Sequence, residues 1–159
     1  MQGDLCLMLD LRDLYQEVIV DHNRSPRNFG KLENPDHTAE GFNPLCGDRL
    51  NLYLKIDNNK RITDIKFDGS GCAISVASAS LMTDALKGKT IDEAKSIFNR
   101  FHNLLTVNGS VSEDQANELG KLSVLLGVRE YPTRVKCATL CWHTLKSALN
   151  GENKAVSTE

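Results

Sequence analysis

Four residues stand out among those of this chain that could bind a metal or carry sulfur: Cys46, Asp48, Cys72 and Cys137. Cys46 and Asp48 share the stretch Asn43-Pro44-Leu45-Cys46-Gly47-Asp48. Cys72 follows Gly69-Ser70-Gly71, and Cys137 follows Arg134-Val135-Lys136. The cysteines are far apart in sequence, so only a folded chain can bring them together. Three thiolates and one carboxylate suit four-coordinate Zn²⁺, and equally Fe in an iron–sulfur cluster. A thiolate is also the nucleophile of sulfur chemistry.

The elements that must position them can be read from hydrophobic periodicity. Leu50, Leu52, Leu54 and Ile56 alternate with Asn51, Tyr53 and Lys55, which predicts a half-buried strand. Asp57-Asn58-Asn59-Lys60 is a turn signal, and Ile62, Ile65 and Phe67 form the returning strand, with an irregularity near Thr63-Asp64. A further strand is expected around His37 to Phe42. A turn centred between Asn58 and Asn59 makes paired positions sum to 117. Asp48 would then lie opposite Gly69, and Cys46 opposite Gly71. Neighbouring strands are about 5 Å apart, so Cys46, Asp48 and Cys72 should emerge at one end of the sheet.

Helices account for the rest. Leu11, Leu14, Tyr15, Val18, Ile19 and His22 fall at helical spacing, predicting a helix over 10–23 that Ser25-Pro26 ends. The small residues after Cys72 predict a closely packed helix ended by Gly88. Thr90-Ile91-Asp92-Glu93 reads as a capping box for a helix through about Leu105, and Ser112-Glu113-Asp114-Gln115 as another for a short helix. Asn108-Gly109 is a turn. Pro132 suits the start of a last helix to about Leu149, with Gly151 beyond it. Cys72 stands where strand hands over to helix, and there the positive end of the helix dipole favours a thiolate. Cys137 lies early in the last helix, and spacing alone does not bring it to the hairpin.

Each candidate has a plainer rival, because cysteine is often a small buried hydrophobe. That, or plain exposure, is the reading for Cys6, and a core position is the reading for Cys141, which shares an apolar face with Ala138, Trp142, Leu145 and Ala148. Cys141 is one turn from Cys137 and stays a minor extra candidate. His22, His37, His102 and His143 do not neighbour a candidate cysteine, so each reads as a packed or surface residue. Gly69-Ser70-Gly71 lacks the Lys-Ser/Thr ending of a phosphate loop.

Composition bounds the setting. The chain has 159 residues, 40% hydrophobic and 25% charged, with a formal net charge of −2. This fits a single domain over 10–150, with 1–9 and 151–159 as flexible termini. Nothing in the charge suits a nucleic-acid partner, and no apolar run approaches a membrane span. Asp4 stands where a secretory leader would be basic, so the expectation is a cytoplasmic chain whose cysteines are thiols or metal ligands.

Over Leu14 to Leu149 the chain resembles the U-type iron–sulfur cluster assembly proteins, the SufU branch in particular. The resemblance is carried by Asp21-His22 with Pro26-Arg27-Asn28, and by the three cysteine-bearing stretches through Ala73-Ile74-Ser75 and Ala138. It places the family's three cysteines on Cys46, Cys72 and Cys137 and its ligand aspartate on Asp48. The IscU branch has a histidine before the third cysteine, where this chain has Lys136. Its Leu-Pro-Pro-Val-Lys chaperone-binding segment is replaced by Tyr131-Pro132-Thr133-Arg134-Val135-Lys136. Residues 99–127 resemble the SufU insertion.

The resemblance implies an α+β fold, a small antiparallel sheet of about three strands with helices on one face. It implies a zinc-dependent sulfur acceptor that takes persulfide sulfur on Cys46 from a pyridoxal-phosphate cysteine desulfurase of the SufS type. This is a sulfurtransferase-type carrier rather than a stand-alone enzyme. Zn²⁺ would be held by Cys46, Asp48, Cys72 and Cys137. The alternative is a scaffold on which a [2Fe–2S] cluster is assembled on the same residues and passed to other cluster-assembly or acceptor proteins. A zinc-stabilised adaptor domain is the third reading.

Overall fold

Residues 48–56 form a strand because alternate side chains have an apolar face to meet. The computed structural model describes residues 16–107, 111–151 and 156–157. Cys6, Leu11, Leu14, Tyr15 and the Asn108-Gly109 turn lie outside them. Residues 16–24 form the described part of helix α1. Strands β1 (His37–Asn43), β2 (Asp48–Ile56) and β3 (Ile62–Ser70) follow. Then come α2 (Ala73–Leu86), α3 (Ile91–Thr106), α4 (Glu113–Glu118), a 3₁₀ segment (Gly120–Val128), α5 (Pro132–Leu149) and β4 (Val156–Ser157). The sheet order is β3-β2-β1-β4. β1, β2 and β3 are antiparallel neighbours, and β4 pairs in parallel with Gly41 and Phe42 of β1.

The expected α+β arrangement is the one that forms, with helices α2 and α5 packed on one face of the sheet. That face carries Ala39, Leu50, Leu52, Leu54, Ile62, Ile65 and Phe67, all buried. The other face presents Glu40, Phe42 and Arg49, which are exposed, and Asn51, Tyr53 and Lys66, which are partly buried. Period-2 alternation has a consequence at the end of the sheet. Asn43 continues the row of Ala39 and Gly41, and Asp48 continues the row of Leu50, Leu52 and Leu54. Both polar side chains therefore point under the helices, and both are 0% exposed.

The hairpin of β2 and β3 forms, but in a different register from the one expected. Leu50 pairs with Gly69 and Leu54 with Ile65, sums of 119 rather than 117. Two features add the difference. The loop closes at Asp57 and Arg61, with Lys60 in the left-handed region at φ 59°, so it has three residues rather than two. A bulge then leaves Thr63 unpaired as Ile56 pairs with Ile62 and Lys55 with Asp64. An even shift keeps every side chain on its expected face, and the cysteine-bearing ends stay together.

The helices start where their caps lie. Thr90 with Glu93 and Ser112 with Gln115 both form complete capping boxes, and Pro132 opens α5. α2 is buried along most of its length, and its small residues let α5 approach until Ser78 Oγ donates to the Ala138 carbonyl at 2.6 Å. α3 packs on α5 through Phe101 and Trp142, ring centroids 4.9 Å apart. The 3₁₀ segment was not foreseen; it buries Leu122, Val124, Leu125 and Val128. Val156 and Ser157, in the terminus read from sequence as flexible, nevertheless pair with β1. Among the described residues, no helix is long and apolar enough to cross a membrane.

Candidate metal and thiol site

The loop from Asn43 to Asp48 closes β1 onto β2, and Cys46 sits in it, exposed. Its tight path uses Gly47 at φ 69°, a conformation that costs glycine little. Asp48 is the first residue of β2. Its Oδ1 accepts the Cys72 backbone N–H at 2.8 Å, and its Oδ2 accepts from Asn43 Nδ2 at 3.2 Å. A Cβ on Gly71 would lie 2.6 Å from Asp48 Oδ1, so glycine there makes room for the carboxylate.

Cys72 is the N-cap of α2, and its sulfur accepts the Ser75 N–H at 3.4 Å. It is partly exposed. Cys137 lies in the second turn of α5 and is buried. Its thiol donates towards Cys46 Sγ at 3.2 Å, and its sulfur accepts from Asn43 Nδ2 at 3.5 Å. Burial pushes the Cys137 thiol well above its ordinary value; its hydrogen bonds to Cys46 and Cys72 act in the same direction.

The step that spacing could not make is thus made by the fold: α5 delivers Cys137 to the sheet end. Ligand atoms of Cys46, Asp48 and Cys137 all lie within 4.8 Å of one another. Cys72 stands outside that tight group but lines the same open cleft of about 700 Å³ as Cys46 and Cys137. Tyr131 and Arg134 line the cleft too, with the Arg134 guanidinium 4.8 Å from the Tyr131 ring centroid. Lys136 is not among the residues lining it.

The other candidates fall elsewhere. Cys141 is buried against Ser78, 3.4 Å from its hydroxyl, and burial pushes its thiol up to about 12. His22 is 4% exposed, with Nδ1 2.7 Å from Ser80 Oγ. His102 and His143 pack their rings against Phe98. Among the described residues, none of the histidines belongs to the tight group. Asn43 is the contributor that sequence reading quoted without assigning a role. Its pairing with Asp48 across the loop emerges only in the fold, because the strand expected from the sequence stops at Phe42.

The donor set fits a metal. Two sulfurs and a buried carboxylate converge from three elements, and, among the described residues, Asp48 forms no ion pair. A buried carboxylate without a cation is costly, and a bound metal ion supplies the missing charge.

Comparison with known proteins shows the family. The model of the NifU-like N terminal domain matches residues 14–138. The zinc-dependent sulfurtransferase SufU of Bacillus subtilis is 42% identical over 143 residues, covering 90% of this chain and 94% of that protein. The iron–sulfur cluster assembly scaffold protein IscU of Streptococcus pyogenes is 42% identical over 139 residues, covering 87% and 84%. A crystal structure of a putative iron–sulfur cluster assembly scaffold protein for the SUF system, from Fervidobacterium islandicum, superposes with a TM-score of 0.75. It is 38% identical, over 84% of this chain and 94% of that one.

Proposed function

The chain belongs to the SufU/IscU family of iron–sulfur cluster assembly proteins, and from that premise we propose that it accepts sulfur on Cys46 from a cysteine desulfurase. One observation carries this reading: an exposed thiol, Cys46, stands 3.2 Å from the buried Cys137 at the mouth of an open cleft. A carrier must be reachable by its donor, and a purely structural metal site has no need of an exposed ligand in a glycine-containing loop. Leu45, 62% exposed, and Tyr131, 50% exposed, give the surroundings of the thiol an apolar surface on which a partner can seat.

Cys46, Asp48 and Cys137 would hold Zn²⁺, with Cys72 from the same cleft as the fourth residue. Zinc bound there would keep the thiols deprotonated at neutral pH. The transfer itself is thiol chemistry. The Cys46 thiolate attacks the outer sulfur of the desulfurase persulfide, a new sulfur–sulfur bond forms, the old one breaks, and the desulfurase thiolate leaves. The likeness to a bacterial zinc-dependent sulfurtransferase supports zinc as the metal, and a cytoplasmic setting, for this reading.

The test is desulfurase turnover with and without the full chain. Cys46→Ala should abolish stimulation, while circular dichroism shows that much of the fold survives and the unfolding midpoint of the metal-free chain stays near that of the unmodified metal-free chain. Full stimulation by that variant would sink Cys46 as acceptor.

The equal identity to a scaffold protein favours one second reading, assembly of a [2Fe–2S] cluster on the same residues. Anaerobic reconstitution separates the two. A stable cluster that passes to an apo-acceptor supports the scaffold, and zinc that iron cannot displace supports the carrier.

A further inference from the structure

Asn43 is wholly buried, yet both of its observed contacts are to residues of the site. Its Nδ2 donates to Asp48 Oδ2 at 3.2 Å and to Cys137 Sγ at 3.5 Å. The two acceptors come from β2 and α5, 94 residues from Asn43 in the case of Cys137. Asn43 Oδ1 is buried and has no partner among the described residues. A carboxylate oxygen can only accept, so the amide nitrogen must face Asp48, and the orphaned oxygen marks the side where nothing demands it.

A buried polar atom without a partner is a liability that calls for a compensating role. The alternatives at this position show what it is. An apolar side chain would leave Asp48 with one donor fewer. Lysine or arginine would pair with Asp48 and remove the negative charge that a metal needs. The amide does neither, because it donates two hydrogen bonds and carries no charge.

We propose that Asn43 is a positioning residue of the metal site: its uncharged amide ties Asp48 to Cys137 at fixed separation and leaves their negative charge for the metal. This rests on the metal-site reading given above and deepens it. Outer partners of this kind fix ligand orientation, and their removal typically weakens metal binding by about 10–100-fold.

The experiment is Zn²⁺ titration of the metal-depleted full chain against a chromophoric chelator, with Co²⁺ absorption as a second readout. It compares the unmodified chain, Asn43→Leu and Asn43→Ala. Asn43→Leu keeps the branched shape, removes both donors and adds no charge, so it separates donation from space-filling. Both variants should bind Zn²⁺ about 10–100-fold more weakly. The Co²⁺ sulfur-to-metal bands should shift, and Asn43→Leu should keep the unfolding midpoint of the metal-free chain close to that of the unmodified protein, because the orphaned Oδ1 goes with the amide. Unchanged affinity in Asn43→Leu would overturn the proposal. So would parallel loss of affinity and of metal-free stability, which would make the role purely structural. No uptake of either metal by the unmodified chain would overturn the metal-site reading itself, and this proposal with it.

Discussion

Cys137 Sγ lies 3.2 Å from Cys46 Sγ, although 91 residues separate the two in sequence. Cys46 is the more open of the two and Cys137 is buried, and both sulfurs stand beside the carboxylate of Asp48. When metal is removed, this leaves two thiols in near contact. Treatment of the chelated chain with a thiol oxidant such as diamide should close a Cys46–Cys137 disulfide. The thiols lose two electrons and two protons to the oxidant. Intact mass should fall by two hydrogens, and peptide mapping should join the segments around residues 46 and 137. Zinc added first should suppress the reaction. Closure at the same rate with zinc present would contradict the ligand role of both thiols.

Gly71→Ala tests the space around the carboxylate. The new Cβ would lie 2.6 Å from Asp48 Oδ1, close enough that Asp48 or the Gly71 backbone must shift. Overpacking of this kind costs about 1–3 kcal/mol. Metal affinity should fall, and the unfolding midpoint of the zinc-loaded chain should drop further than that of the metal-free chain. Equal affinity in variant and parent would show that the carboxylate has room to spare.

His22 ties α1 to α2. Ser80 Oγ accepts the Arg27 N–H at 2.8 Å and lies 2.7 Å from His22 Nδ1. Burial, and then the Arg27 charge, hold the His22 pKa below its ordinary 6.5. The folded chain therefore binds fewer protons at this site than the unfolded chain does. Its contribution to stability is in full force above pH 6.5 and is lost as pH falls through the lower folded value. Denaturant unfolding at fixed metal state should show stability declining from pH 7 to pH 5. His22→Asn, which keeps an acceptor for Ser80, should be less stable at pH 7 and should decline less. Parallel pH profiles for the two chains would rule His22 out as the titrating group.

Much of this was legible in the sequence, and the exceptions have physical causes. The β2–β3 hairpin, the irregularity at Thr63, both capping boxes and the start of α5 at Pro132 follow from local chemistry. The hairpin register did not, because an Asp-Asn-Asn-Lys turn can be closed by two residues or by three, and Lys60 took the left-handed position. The 3₁₀ segment escaped because its apolar residues do not follow a 3.6-residue period. At the site, Cys46, Asp48 and Cys72 could be brought together by strand pairing alone. Cys137 could not, since its approach depends on how α5 packs across β1 and β2. Asn43 was visible as a letter, but its role depends on two partners, one of them contributed by that same helix.

The loop that carries Cys46 has firm footings. Asn43 and Asp48 are the last paired residues of β1 and β2, and both are buried, while Pro44 to Gly47 lie above them in solvent. With both ends of the loop held by that rung, a change of backbone torsion at Gly47 would re-aim the thiol above a pairing that stays in place. Under the carrier reading proposed above, the sulfur would turn outward on a short lever while the pocket it leaves keeps its shape for the return stroke.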